Sequence, residues 1–316
     1  MDISSFAKIQ HERIRFVYHA VRNIWPIWFY LLNADARRIW KKEGRGKGIT
    51  EESTRIVSSL TKDGIAISHL ETLFSGENHL PELMKETEER KKRGESSGSS
   101  MQDSGDQMKK GYDKHFMRYF WGGGGTNPVF EAGSAFMHLT LDTRILRIVG
   151  SYFGLAPKLH GFSLQETVLV PFGSPAYLSQ RWHRDPDDKK ICKMFIYLND
   201  VVDEGGGPFM YVKGSQLGGK WRGLFPQRPP VGRYPNPGEV EKNIPKEDIQ
   251  VCTGKAGTIV LCDTSGLHRG GYSTAATRTM FAAGFATSAS IQPRNYRLNP
   301  TENLTDISSL ARYALR

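Results

Sequence analysis

Cysteine is scarce in this chain of 316 residues: Cys192, Cys252 and Cys262 are its three, and no two of them stand in C-x-x-C spacing. That argues against a disulfide framework and a structural zinc site, and makes a reducing compartment, the cytoplasm, the default. Cys252 and Cys262 fall near expected strands, where a small thiol reads as buried packing. Long apolar runs are missing as well. No stretch of 18 uncharged apolar residues occurs, so a membrane-spanning helix is not expected. The start, Met1-Asp2-Ile3-Ser4-Ser5, lacks the basic region and apolar stretch of a secretory signal. No internal repeat is visible. Gly44-Arg45-Gly46-Lys47-Gly48 is a flexible break and not a phosphate-cradling loop, since the P-loop spacing and its Lys-Ser/Thr ending are absent.

What is present points to a β-rich globular chain. At 38% hydrophobic and 11% aromatic residues it can bury a sizeable core, and 33 glycines with 16 prolines favour many turns over a helix bundle. Net charge is +10, and residues 1–50 hold ten Lys/Arg against four acids, a local balance of +6. Such a patch either attracts an anionic partner or is a solvated face. No nucleic-acid-binding module accompanies it, so nucleic acid is not an expected partner.

Taken in order, residues 1–50 read as a basic, aromatic-rich helical extension, with Pro26 breaking or restarting the helix. Trp25-Pro26-Ile27-Trp28-Phe29-Tyr30-Leu31-Leu32 fits two roles: a helix packed on the main domain, or an interfacial anchor that brings the protein peripherally to a membrane surface. Residues 51–155 read as a mixed helical part, with helices over Glu51–Thr61 and Asp142–Phe153 and a short strand at Gly64-Ile65-Ala66-Ile67. Residues 85–111 carry Met101 and Met108 as their only apolar side chains and are expected to be a mobile loop, because they bury too little to offset their ordering entropy. From 156 to 290 the pattern turns to short strands bounded by Gly, Pro, Asn and Asp, without regular helical spacers. The expected class is mainly β with flanking helices, an antiparallel sandwich or jelly roll. Residues 217–247 read as a lid-like insertion whose Lys220, Arg222, Arg228 and Arg233 suit an anionic substrate, or serve solubility alone. Residues 291–316 form a C-terminal tail.

The chemistry concentrates at Gln180-Arg181-Trp182-His183-Arg184-Asp185. In an extended chain residues i and i+2 share a side, so His183 and Asp185 converge while Arg184 turns away. An imidazole with a carboxylate and no thiolate suits a borderline ion such as Fe(II). His268 is the best third ligand: it follows the expected strand Thr258–Cys262 across Asp263-Thr264-Ser265-Gly266-Leu267. Two histidines and one carboxylate on one face of an ion leave up to three positions open. His11, His19, His69, His79, His115, His138 and His160 lie in expected helical or loop segments and read as structural or surface residues. Arg278, ten residues past His268 at the head of a strand, offers a rigid guanidinium fork for a carboxylate.

His183-Arg184-Asp185, His268 and Arg278, with Glu204-Gly205-Gly206-Gly207-Pro208-Phe209 between them, resemble the Fe(II)/2-oxoglutarate dioxygenases of the phytanoyl-CoA dioxygenase family. Further matches are Phe195-Ile196-Tyr197-Leu198-Asn199-Asp200 and Gly254-Lys255-Ala256-Gly257-Thr258, and the likeness covers about residues 155–290. The resemblance implies a double-stranded β-helix (a cupin-like jelly roll). It implies Fe(2+) held by His183, Asp185 and His268, with 2-oxoglutarate clamped by Arg278. It also implies O2 as second cosubstrate, succinate and CO2 as products, and ascorbate as a useful addition in vitro. Phe195, Gln180 and Lys193 are further cosubstrate-pocket candidates, although Lys193 also has Asp187 and Asp188 within reach. Asp185 favours hydroxylation or a related oxidation over halogenation, because halogenating members carry a small residue there. The chain departs from the family in Lys213-Gly214-Ser215-Gln216, where Pro-Gly-Ser-His is usual. His183-Arg184-Asp185 also imitates a protein-kinase catalytic loop, but Lys190 stands where that loop needs Asn, and no Gly-rich loop or Asp-Phe-Gly accompanies it. The alternative from another class is a non-catalytic metal-binding or membrane-recruited β-helix module.

Overall fold

A computed structural model describes residues 14, 16–44, 50–96, 117–123, 126–226, 234–299, 302 and 304–316. Eleven strands organise it: β1 (Ile65–His69), β2 (Met117–Gly122), β3 (Val129–Phe130), β4 (Lys158–Thr167), β5 (Cys192–Tyr197), β6 (Phe209–Val212), β7 (Ile249–Cys252), β8 (Thr258–Asp263), β9 (His268–Arg269), β10 (Thr279–Ala286) and β11 (Arg297–Leu298). The large antiparallel sheet has the order β1-β8-β5-β10-β4-β2, and the small one β7-β6-β9. A bridge between His183 and His268 extends the small sheet by one more chain segment. From β4 onward the chain winds between the two sheets, through β4, the His183 segment, β5, β6, β7, β8, β9 and β10. That winding is a double-stranded β-helix, the jelly-roll class expected from the strand pattern. β3 pairs with β11 apart from both sheets.

Both faces of the large sheet are covered, so its central strands are mostly apolar on both sides. In β8, Ile259 and Leu261 enter the core between the sheet and its helices, while Val260 and Cys262 enter the core between the two sheets. The helical layer is anchored by Thr143–Phe153, which inserts Ile145, Leu146, Ile148, Val149 and Phe153. Asp142 caps its first turn through Arg144 N, and Gly154 ends it at φ 74°. Glu51–Asp63 is capped by Thr50 and ends at Gly64 with φ 78°. A Cβ on Gly64 would stand 2.3 Å from the Tyr211 hydroxyl, so this position requires glycine for space as well as conformation.

Two sequence expectations change. Residues 80–96 are helical, so the segment expected to be a mobile loop from residue 85 begins inside a helix; its positions 97–111 lie outside the described residues. The helix has little apolar surface, but Leu83, Thr87 and Arg90 form a buried stripe. Arg90 pairs with Glu86 at 2.7 Å and Glu131 at 2.9 Å, and its Cζ stands 3.5 Å from the centre of the Trp121 ring. Ion pairs and cation–π contact order this segment where composition alone suggested none. The final residues also carry structure: Ser309–Ala314 is a helix whose Leu310, Ala311, Tyr313 and Ala314 sit in the main core.

Residues of the N-terminal extension dock on the β-helix. Trp28 is fully buried and donates from Nε1 to Asp188 Oδ1 at 2.8 Å, Arg22 donates to Asp187 O and Pro186 O, and Lys189 Nζ donates to Asn23 O. The extension therefore grips the loop that immediately follows Asp185.

Candidate metal centre

His183 and His268 are directly opposed across the small sheet. Each backbone N–H donates to the other's carbonyl, at 2.9 and 3.0 Å, and the ring centres lie 4.2 Å apart. Asp185, on the same side as His183, is fixed by its own N–H donating to Thr264 O at 2.9 Å. His183 Nε2 lies 3.8 Å from Asp185 Oδ1, and His268 Nε2 lies 3.8 Å from Asp185 Oδ2. These gaps are too long for hydrogen bonds and leave space between the ligand atoms for an ion. Among the described residues, His183, Asp185 and His268 form a group whose ligand atoms all lie within 4.8 Å of one another.

The donor chemistry fits a metal. His183 Nδ1 faces Arg181 O at 2.8 Å and His268 Nδ1 faces Gly266 O at 3.0 Å. A carbonyl only accepts, so each Nδ1 carries the proton and each Nε2 turns a lone pair towards Asp185. Burial, then the neighbouring His183, lowers the His268 pKa to about 3; burial lowers that of His183 as well. Burial works against ionisation of Asp185, but the Lys193 ammonium beside it holds its carboxyl well below the usual carboxylate range. Two neutral imidazoles and one carboxylate are thus ready as ligands without losing a proton first.

The turn that delivers His268 is built around Asp263. Its Oδ2 accepts from Tyr152 OH at 2.5 Å, its Oδ1 accepts from Ser265 N at 2.9 Å and Ile191 N at 3.2 Å, and its carbonyl accepts from Tyr211 OH at 2.9 Å. A Cβ on Gly266 would fall 2.0 Å from that Tyr211 oxygen. The side chain of Arg184, between the two ligands of its own strand, does turn away from them. It is buried and donates to the carbonyls of Ser215, Ser265, Trp221, Leu224 and Phe225, joining the β9 turn to the start of the 217–247 insertion.

Arg278 stands just before β10, 1% exposed, with its N–H donating to Thr167 Oγ1 at 2.7 Å. Its Nε and Nη1 make no hydrogen bond among the described residues. A Cβ built on Gly270, two residues past His268, would lie 4.0 Å from its Nη2. The guanidinium therefore reaches the His268 side with donors to spare. Burying such donors unpaired is costly, and an anion would satisfy them.

The remaining sequence candidates fall in different places. Phe195 is buried against Phe209 at 4.8 Å between ring centres, and Phe209 is 5.7 Å from His268, so Phe195 lines the interior one side chain removed from the metal group. Gln180 is buried in the turn Leu178–Gln180, and its Oε1 has no hydrogen-bond partner among the described residues. Lys193 does not pair with Asp187 or Asp188: its Nζ lies 2.7 Å from Asp185 Oδ2. Asp188 is taken by Trp28, Thr287 and the Lys189 N–H. Lys193 stands opposite Gly284, six residues along β10 from Arg278, so the two cations enter from opposite ends, about 20 Å apart along the backbone.

Three features escaped the sequence reading. His160 lies on β4 instead of a helix or loop, and its pKa is lowered by burial and then by Lys193. Tyr234 of the insertion brings its ring 5.9 Å from that of His183 and stacks under Arg181 at 4.7 Å. Tyr197 flanks Arg278, whose Cζ is 5.8 Å from its ring centre. Only the strand periodicity at Tyr197 signalled its inward direction. Lys220, expected to face a substrate, is engaged by Asp248 at 2.7 Å, and Arg228 and Arg233 lie outside the described residues.

No family model matches the chain, and no curated protein matches it. Among solved structures it is similar to the non-heme alpha ketoglutarate dependent epimerase SnoN from nogalamycin biosynthesis, at 17% identity over 75% of this chain and 81% of that one, with a TM-score of 0.49. HygX from Streptomyces hygroscopicus, with nickel, 2-oxoglutarate and hygromycin B bound, is 16% identical over 75% and 87%, with a TM-score of 0.45. EctD from S. alaskensis with bound Fe is 16% identical over 78% and 81%, with a TM-score of 0.48. Likeness at this distance assigns no residue role, and the chemistry rests on the side chains just described.

Proposed function

We propose that this chain is a mononuclear non-haem Fe(II) oxygenase that couples oxidative decarboxylation of 2-oxoglutarate to oxidation of a second substrate. The observation that carries the reading is a pair: a His-Asp-His group with both Nε2 lone pairs turned inward, and beside it a buried guanidinium whose Nε and Nη1 are unpaired. A dicarboxylate that chelates an ion and meets a cation at its far end satisfies both at once. When bound, iron and 2-oxoglutarate supply the oxidative chemistry, with succinate and CO2 as products.

The chain's own part is placement. His183, Asp185 and His268 would hold the ion on one face: backbone carbonyls at Nδ1 keep the two rings from rotating out of register, and Lys193 holds the carboxylate. Arg278 would hold the far carboxylate. Phe195, Phe209 and Tyr197 exclude water between them, which strengthens the charge pairing. The resemblance to the phytanoyl-CoA dioxygenase family supports hydroxylation as the outcome, with Asp185 present as a ligand. Space for the second substrate lies at the Lys193 end of the inner face, where Gly161, Ser163, Ala282 and Gly284 stand in register as small side chains. Arg181 and Tyr234 at the His183 rim favour a small-molecule or lipid-like substrate that carries an anionic group.

The test is succinate formation from 2-oxoglutarate with Fe(II) and ascorbate. The wild-type protein turns the cosubstrate over even without a second substrate, at a slow uncoupled rate, and His183→Ala and Asp185→Ala fall to background. A wild-type protein that binds Fe(II) yet forms no succinate with any candidate substrate would overturn the proposal.

A further inference from the structure

The N-terminal helix is turned inside out. Ile14, Val17, Tyr18, Val21, Ile24 and Trp25 follow the i, i+3, i+4, i+7 spacing of one helical stripe. An amphipathic helix on a globular domain buries such a stripe. Here most of it faces outward: Ile14 is 66% exposed, Val17 58%, Ile24 50% and Trp25 45%, while the Tyr18 hydroxyl reaches back to donate to Ala289 O at 3.4 Å. The buried side is polar. His19 and Arg22 face the β-helix, bonded to each other at 2.8 Å, and Arg22 reaches the carbonyls of Pro186 and Asp187. The apolar surface continues past Pro26: Trp25 stacks on Phe29, Phe29 meets Tyr30 edge-on, and Tyr30 and Leu31 are exposed. A contiguous apolar surface of this kind marks an interaction site.

Next to the stripe is a basic cluster. Arg37, Arg38, Lys41 and Lys42 are exposed, and Arg37 lies over the Tyr30 ring at 5.2 Å, which ties the cluster to the apolar stripe. The nearby acids are engaged: Asp35 accepts from Tyr313 OH and Ser288 Oγ, and Glu43 faces Lys42 at 3.5 Å.

We propose that this face docks on an anionic phospholipid bilayer, with the helix lying in the membrane plane. Tryptophan and tyrosine rings beside an apolar stripe suit headgroup depth, and arginine and lysine at its margin meet the lipid phosphates. A second copy of the chain fits less well. A two-fold contact through the stripe would bring two such cationic clusters together with few acids to offset them. Because the inner side of the same helix grips residues 186–189, docking would set the membrane beside the loop that follows Asp185. The docking surface does not depend on the oxygenase reading.

The experiment is co-sedimentation of the full chain with vesicles of phosphatidylcholine plus phosphatidylglycerol, against phosphatidylcholine alone, at low and high salt. Binding is expected to the anionic vesicles and to weaken with salt. Arg37→Ala with Arg38→Ala lowers the partition coefficient by roughly twenty-five-fold, on the order of fivefold per charge. Val17→Glu with Ile24→Glu removes binding, and circular dichroism shows an unchanged melting transition, since both side chains already meet water. Light scattering of the lipid-free protein identifies any dimer. The proposal is overturned by no sedimentation at low salt, by equal binding of the glutamate variant, or by a dimer that the glutamate variant dissociates. If the glutamate variant misfolds, the arginine pair and the salt series decide alone: binding indifferent to both overturns the proposal.

Discussion

At His183 and His268 the chemistry is set by the nitrogen that does not face Asp185. The carbonyls of Arg181 and Gly266 fix the protons on Nδ1, and so aim both Nε2 lone pairs at Asp185. Arg278 is the complementary residue, a cation whose buried donors wait for an anion. Its two unpaired nitrogens, Nε and Nη1, each offer a charge-assisted hydrogen bond to an anion such as the far carboxylate of 2-oxoglutarate in the proposed reaction. Arg278→Leu is accordingly expected to weaken 2-oxoglutarate binding about a hundredfold, two charge-assisted hydrogen bonds being worth roughly 1.5–3 kcal/mol each before losses. Calorimetry reads that loss, and metal analysis of the same sample should show iron retained. If both are lost together, Arg278 is a structural residue.

Between elements, the coupling that most needed the tertiary structure is the N-terminal helix on the loop after Asp185. His19 is buried in that contact beside Arg22, and burial first, then Arg22, lowers its pKa to about 4. An undocked His19 titrates near 6.5. As pH falls from about 6.5 towards 4 the undocked form takes up a proton that the docked form refuses. Docking therefore weakens across that window, by up to about 1.4 kcal/mol per pH unit for one proton, and is fully present above it. Hydrogen exchange over residues 16–22 should rise through the window in the wild type and stay level in His19→Gln. A wild-type profile flat from pH 7 to about 4 would remove His19 from the contact. The helix over 80–96 makes a related point about legibility. Its polar composition read as disorder because pattern analysis weighs apolar burial, whereas Arg90 is held by Glu86, Glu131 and the Trp121 ring, two of them distant in sequence.

Across the whole molecule, the His-Asp-His group joins two distant chain segments at the small sheet. His183 and His268 lie on the small sheet, and Asp185 is tied to the turn that carries β8 into β9. An ion bound there links segments about 80 residues apart, so it should stabilise the fold by mass action. At a hundredfold excess over its dissociation constant a ligand adds about 2.7 kcal/mol, which for a chain of this size raises the melting temperature by roughly 4 °C. Differential scanning calorimetry with Fe(II) under argon, and with a chelator, measures the difference. Asp185→Asn should abolish it without lowering the melting temperature of the metal-free protein by a comparable amount. No helix among the described residues is long and apolar enough to cross a membrane.

Local rules are what the sequence by itself determined. Short strands alternating with Gly, Pro and Asn/Asp turns specified an antiparallel β fold, because a period of two and a turn are properties of neighbouring residues. The i, i+2 spacing put His183 and Asp185 on one side of an extended segment for the same reason. The tertiary structure decided what depends on residues far apart in the chain. It brought His268 opposite His183, set Lys193 on Asp185 and left Arg278 with donors unpaired. It also turned the apolar stripe of the N-terminal helix outward, against the usual expectation for an amphipathic helix. The stripe and the polar face were both written in the sequence. Which of them meets protein was settled by what the β-helix presents there: carbonyls at Pro186 and Asp187 and the carboxylate of Asp188, which a polar helix face can satisfy and an apolar one cannot.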